Sequence, residues 1–105
     1  MPNVNQSQSK IPSLGVGTFR LKDDEAYNSV TMALEVGFRH IDTAQIYGNE
    51  EAVGRAIKDA IANNLVARED LYVTTKVWND KLNKASFLDS VKESLEKLQL
   101  SYVDL

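Results

Sequence analysis

Short apolar runs separated by amphipathic stretches recur three times along the chain, and this alternation predicts strand–helix units of a parallel sheet with crossover helices. In the first unit residues 14–19 read as a short strand holding Gly15 and Gly17. Asp23 then serves as a helix cap, Ala26, Val30, Ala33 and Leu34 share one helical stripe, and Gly37 stops the helix. In the second unit residues 38–42 form the strand and Asn49 the cap, with Glu50 and Glu51 suited to the positive end of the helix dipole. Val53, Ala56, Ile57, Ala60 and Ile61 supply the buried stripe of that helix. The third strand, residues 71–77, is apolar or Thr-rich on both faces, and only Lys76 near its end interrupts it. A third helix over about residues 85–98 places Leu88, Val91, Leu95 and Leu98 on one seam, and residues 101–105, SYVDL, begin a fourth strand. The fold class is therefore α/β.

With 105 residues and 43% hydrophobic content the chain can bury one core, and no composition shift marks a second domain. Residues 1–10 are polar and read as a flexible lead-in; residues 11–105 form the domain. That lead-in lacks the apolar stretch of a secretory signal, and no run approaches the roughly 20 residues needed to cross a bilayer. A soluble, cytoplasmic protein with no membrane partner is expected. Fifteen acidic and twelve basic residues give a net charge of -3 with the basic residues dispersed, which argues against nucleic acid as a partner. The absence of cysteine and the single histidine, His40, exclude disulfides, thiolate sites and histidine-cluster metal sites, so no metal is expected.

Candidate chemistry gathers at the strand ends. Asp42 closes the second strand, and the C-terminal ends of parallel strands are where active-site groups collect. Its position alone also suits a turn aspartate ahead of Thr43. Tyr47 lies five residues on, in the loop before the second helix. A phenol ionises near pH 10 (approximately), so acid–base work at neutral pH needs a neighbouring cation; ordinary packing is the alternative. Lys76 is the obvious cation. An ammonium in an apolar strand must pair with a carboxylate or snorkel to water, and Asp42 on the adjacent strand can supply the pairing. Phe19 and Trp78 follow strand ends and either wall a pocket or simply pack. Gly15 and Gly17 make only GxG, so the dinucleotide fingerprint is absent, and they read as points of close backbone approach. His40, inside a strand two residues before Asp42 and of the same side-chain parity, has the chemistry of an acid–base group but reads rather as a structural histidine.

Residues 37–54, GFRHIDTAQIYGNEEAVG, resemble the first signature of the aldo-keto reductases at every defining position. With GVGTF, REDLYVTTKVW and SLEKLQLSYVDL, the resemblance extends over about residues 10–105, and GTFRLKDD and IDTAQIYGNE are similar to the bacterial 2,5-diketo-gluconate reductase B group. It implies a (β/α)8 TIM barrel that uses a reduced nicotinamide, usually NADPH, to convert small aldehydes and ketones to alcohols. Tyr47 matches the family's proton donor, Lys76 the cation that favours its phenolate, and Asp42 the carboxylate paired with that lysine. Thr18 and Asp42 match positions beside the nicotinamide, and Phe19 and Trp78 match substrate-pocket aromatics; His40 matches no catalytic position. The family's catalytic histidine follows the YVDL segment, and its cofactor loops come later still, beyond Leu105. A barrel of this type takes about 250 residues. The chain is thus expected to be the N-terminal portion, three βα units plus the start of a fourth strand, and to be inactive alone as a truncated fragment. The alternative is a non-catalytic relative that self-associates through its open strand edges. Gln99 stands where the family often has a glycine after the helix, which implies slight strain if a left-handed residue is required.

Overall fold

The computed structural model describes residue 12, residues 14–77 and residues 84–105. Strands β1 (Gly15–Gly17), β2 (His40–Asp42) and β3 (Tyr72–Thr74) form a parallel sheet in sequence order, and each precedes a helix: α1 (Asp23–Glu35), α2 (Glu50–Ala62) and α3 (Lys84–Leu98). This is the parallel α/β arrangement that the alternation predicts. Regular pairing covers only three residues per strand, less than the apolar runs suggest. Single bonds prolong the ladder on its C-terminal side, from Thr18 N–H to the Asp42 carbonyl (3.1 Å) and from Thr43 N–H to the Thr74 carbonyl (2.8 Å).

Period-two alternation sends Val16, Ile41 and Val73 to one face of the sheet. There Ile41 and Val73 are fully buried with Val30 and Leu34 of α1, Val53 and Ile57 of α2, and Leu98 of α3. The opposite face carries Gly15 and Gly17, then His40 and Asp42, then Tyr72 and Thr74, in two rows across the strands. Small and polar groups occupy that face because no helix covers it among the described residues. Gly15 has a specific reason to be glycine: a Cβ there would lie 2.8 Å from His40 Nδ1. His40 also sits edge-on to Tyr72 and 3.2 Å from the Thr74 hydroxyl, so it packs within the sheet face and does not join the lysine and tyrosine.

All three helices stop in the same way, with paired 6→1 and 5→2 hydrogen bonds around a left-handed residue. The left-handed positions are Gly37 (φ 109°), Asn64 (φ 59°) and Gln99 (φ 58°). For α1 the bonds run from Phe38 N–H to the Ala33 carbonyl and from Gly37 N–H to the Leu34 carbonyl; for α3 they run from Leu100 to Leu95 and from Gln99 to Glu96. A glutamine therefore occupies the left-handed site anticipated at position 99.

Several local expectations need correction. Lys22, not Asp23, is the cap of α1, and its N–H is satisfied by the Glu25 carboxylate at 3.1 Å. Asn49 holds the cap position of α2 but makes no side-chain cap bond, because its amide is drawn into the interior. Leu88 is 53% exposed, so the seam of α3 does not include it. The buried line instead runs through Ser90, Ser94 and Leu98, since α3 meets α2 near its own C-terminal end.

The segment after α3 begins to extend the sheet. Thr75 N–H donates to the Leu105 carbonyl (3.0 Å) and Asp104 N–H to the Val73 carbonyl (2.9 Å), alongside β3. Arg68 fixes it there, donating to the Tyr102 carbonyl and the Asp104 carboxylate while its guanidinium stacks 3.9 Å from the Tyr102 ring centre. Among the described residues no helix is long and apolar enough to cross a membrane.

Candidate active site

The C-terminal end of the sheet is where backbone groups run out of partners and side chains take over. Asp42 ends β2 on the sheet face that carries His40, two residues beyond it. The chain then passes through a 3-10 turn, Gln45–Tyr47, and Gly48 in the left-handed region (φ 72°) redirects it into α2. That turn lifts Tyr47 over the strand ends. Lys76, two residues past β3, approaches from the other side.

The three groups meet. Lys76 Nζ donates to Asp42 Oδ1 at 2.6 Å and to Tyr47 Oη at 3.1 Å, and it sits 5.2 Å from the centre of the Tyr47 ring. The Lys76 and Asp42 side chains remain 49% and 44% exposed, so the ammonium is bridged but accessible. Its pKa is raised from the ordinary lysine value, chiefly by the hydrogen bond to Asp42; partial desolvation opposes this, and the hydrogen bond to Tyr47 adds to the rise.

Phe19 packs against Tyr47 with ring centres 5.2 Å apart and stays 60% exposed, so an apolar surface flanks the phenol. Arg20, in the left-handed region at φ 64°, lays its guanidinium 5.1 Å from the Phe19 ring centre. A cleft of about 780 Å³ opens between residues 20–25 and Tyr47 with Gly48. It reaches the phenol from the α1 side and does not include Lys76 in its wall. Thr18 is fully buried, and its hydroxyl donates to the Thr43 hydroxyl at 2.8 Å on the helical side of the sheet. Its side chain thus braces the strand ends from beneath. Trp78 lies outside the described residues.

Two sets of polar residues missed by pattern reading support this arrangement. Asn49, 2% exposed, donates to the carbonyls of Thr18 (2.7 Å) and Leu21 (3.0 Å), tying the β1–α1 loop to the start of α2. Glu50, 3% exposed, accepts from the hydroxyls of Thr75 (2.6 Å) and Ser94 (3.1 Å). The sequence signal that marks the second set is Ser90 and Ser94, four apart in the middle of an otherwise apolar helical stripe.

Residues 13–105 match the model of the Aldo/keto reductase family. The chain belongs to that family. It is 57% identical over 95 residues to methylglyoxal reductase DkgB of Escherichia coli O157:H7, a match covering 90% of this chain and 34% of that protein. It is 50% identical over 99 residues to aldo-keto reductase AKR2E4 of Bombyx mori, covering 90% of this chain and 32% of that protein. The crystal structure of Bombyx mori AKR2E4 in complex with NADP superimposes with a TM-score of 0.85 at 47% identity, over 89% of this chain and 32% of that one. A crystal structure named as a 2,5-diketo-D-gluconic acid reductase B gives a TM-score of 0.84 at 46% identity, over 93% and 34% respectively. The aldo-keto reductase chain described here thus spans about a third of the length of these relatives. Its parallel βα units correspond to the N-terminal part of their α/β fold.

Proposed function

We propose that these residues carry the proton-transfer half of an NADPH-dependent reduction of small aldehydes and ketones, in a cytoplasmic enzyme of the aldo-keto reductase family. The observation that carries this reading is the bridging of Asp42 and Tyr47 by Lys76 at 2.6 and 3.1 Å. Tyr47 Oη is the proton donor to the carbonyl oxygen. Lys76 holds its positive charge beside the oxygen that is left as phenolate, stabilising it electrostatically where charge develops. Asp42 keeps the ammonium in place and compensates its charge, so the lysine need not turn to solvent. Phe19, tilted against the phenol, offers the apolar wall against which the carbon skeleton of a substrate would lie.

The hydride that the carbonyl carbon needs as its oxygen takes the proton would come from a reduced nicotinamide held beside Asp42. Asp42 fits such a group: it stands at a strand end on the face without helices and keeps 44% of its side chain exposed beside the lysine. Thr18 would only shape the strand end beside the cofactor, since its hydroxyl is buried against Thr43, its N–H is bonded to the Asp42 carbonyl and its carbonyl accepts from Asn49 and Leu21. The NADP complex of the Bombyx mori relative supports the choice of cofactor.

The test is a chimera in which this chain replaces the matching N-terminal third of DkgB from Escherichia coli O157:H7, assayed with methylglyoxal by loss of NADPH absorbance. The chimera should turn over, and Tyr47→Phe should lower kcat by about 10²–10⁴-fold, the usual contribution of a positioned acid. A folded chimera whose activity survives Tyr47→Phe would refute the assignment.

A second reading has its own observation. Beside β3 an apolar cavity of about 260 Å³ is lined by Val77, Phe87, Val91, Val103 and Leu105, and Leu105, whose backbone bonds to β3, keeps its side chain 63% exposed on the outermost segment of the sheet among the described residues. Such an edge favours self-association. Light scattering that shows only monomer at micromolar concentration would remove this reading, while a concentration-dependent dimer would support it.

A further inference from the structure

Glu50 presents a physical problem that the proton-transfer reading leaves unsolved. It is 3% exposed, yet the ion pairs among the described residues are Arg68 with Asp104 and Lys76 with Asp42, and neither involves it. Removing a carboxylate from water without a cation is costly, so its retention requires compensation by hydrogen bonds and local dipoles. Both are present. Glu50 is the first residue of α2, where the helix dipole favours negative charge, and each of its oxygens accepts a hydroxyl: Oε2 from Thr75 at 2.6 Å and Oε1 from Ser94 at 3.1 Å.

The partners are informative because of what they adjoin. Thr75 immediately precedes Lys76. Ser94 in turn accepts from Gln45 Nε2 at 3.0 Å, and the same amide donates to the Ser90 carbonyl at 2.9 Å. Gln45 opens the turn that ends in Tyr47, and its backbone N–H donates to the Lys76 carbonyl at 3.2 Å. One buried carboxylate therefore joins the strand end bearing the lysine, the turn bearing the tyrosine, and helix α3 behind both.

Resting on the reading of Tyr47 and Lys76 as the reacting pair, we propose that Glu50, acting through Thr75 and through Ser94 with Gln45, is the positioning residue that sets the separation of the Lys76 ammonium from the Tyr47 hydroxyl. Apolar packing would bury the same surface but would let the two loops slide, whereas hydrogen bonds fix both distance and direction. Lys76 is exposed and Tyr47 only half-buried, so their own packing does not fix the separation, and an error of about 1 Å between reacting groups can cost on the order of 10²-fold in rate.

The experiment reads the pair directly in this chain, with no cofactor. Labelled protein should show a nuclear Overhauser contact between the Lys76 ε-methylene and the Tyr47 ring. Thr75→Val, nearly isosteric but without a hydroxyl, should lose that contact while the amide spectrum of the sheet and helices stays native. Thr75→Ser, which restores the hydroxyl, should retain it. An undiminished contact in folded Thr75→Val overturns the proposal. Should Thr75→Val fail to fold, Ser94→Ala cuts the link from Glu50 to Gln45 at a helical site that suits alanine; a contact undiminished in that variant likewise overturns it. In the chimera, Thr75→Val should lower kcat about 10²-fold with KM little changed. An inactive parent chimera would count against the reductase reading, and the magnetic-resonance result would still decide the positioning role.

Discussion

Replacing Gly54 by alanine sets two opposing effects against each other, and the structure decides between them. Gly54 lies in the middle of α2, where alanine is intrinsically the better helix former by about 1 kcal/mol. A Cβ at this position would, however, stand 2.4 Å from the Lys97 carbonyl oxygen and 2.7 Å from the Leu98 Cα. Both are backbone atoms of α3, so no side-chain rotation relieves the contact; the helices must move apart. Leu98 is fully buried at this crossing and packs in the common core, so separation also loosens apolar contacts. Overpacking of this kind costs about 1–3 kcal/mol, and a rigid backbone neighbour argues for the upper end. Subtracting the gain in propensity leaves a net loss of about 2 kcal/mol, equivalent to a fall in Tm of about 8–16 °C for a domain of this size. Thermal unfolding followed by circular dichroism at 222 nm measures it. An unchanged or raised Tm would refute the view that α2 and α3 meet backbone to backbone at Gly54.

Three further predictions follow from single sites. Gln99→Gly should stabilise the protein by about 0.5 kcal/mol, because relief of a left-handed conformation worth about 1–2 kcal/mol outweighs the extra freedom of glycine in the unfolded chain; a lower urea midpoint in the variant would contradict this. Asn49→Ala strips donors from the buried Thr18 carbonyl and the half-buried Leu21 carbonyl and should cost about 3 kcal/mol in urea unfolding, and a loss below about 0.5 kcal/mol would show that the network is dispensable. The raised pKa of Lys76 means that its pairing contributes stability fully below the unfolded value near 10.5, and that this contribution is lost as pH rises through the folded value. Since both partners are about half exposed, the contribution should be only about 0.5 kcal/mol; carbon-13 titration of the Lys76 ε-methylene should move down in Asp42→Asn, and no movement would exclude Asp42 as the main cause.

Much of this molecule could be read from local pattern. The alternation of apolar runs and 3.6-period stripes located the start of each helix to within about a residue, and correctly placed Ala26, Val30, Leu34, Val53, Ala56 and Ile57 in the core. Those features depend on side-chain periodicity along one element, which the sequence states outright. Asp42, Tyr47 and Lys76, which the structure brings together, stood out as candidates because unusual residue types stand at strand ends, and because the stretch around the first two resembles a known signature.

What the sequence could not decide was how elements meet. Leu88 satisfies the helical period yet is exposed, since burial depends on where α3 crosses α2 and not on its own stripe. Asn49 has the identity of a cap, but the closeness of the β1–α1 loop offers its amide two carbonyls, one buried and one half-buried, and these outcompete the helix end. Glu50 looks like a solvent-facing dipole partner until Thr75 and Ser94, 25 and 44 residues away in the chain, enclose it. Gly54 appears to be a flaw in a helix until the α3 backbone fills the space its missing side chain leaves. In each case the deciding energy is a contact between residues distant in sequence. Such contacts follow from the sheet's register and the crossing of its helices, and only the tertiary structure determines those.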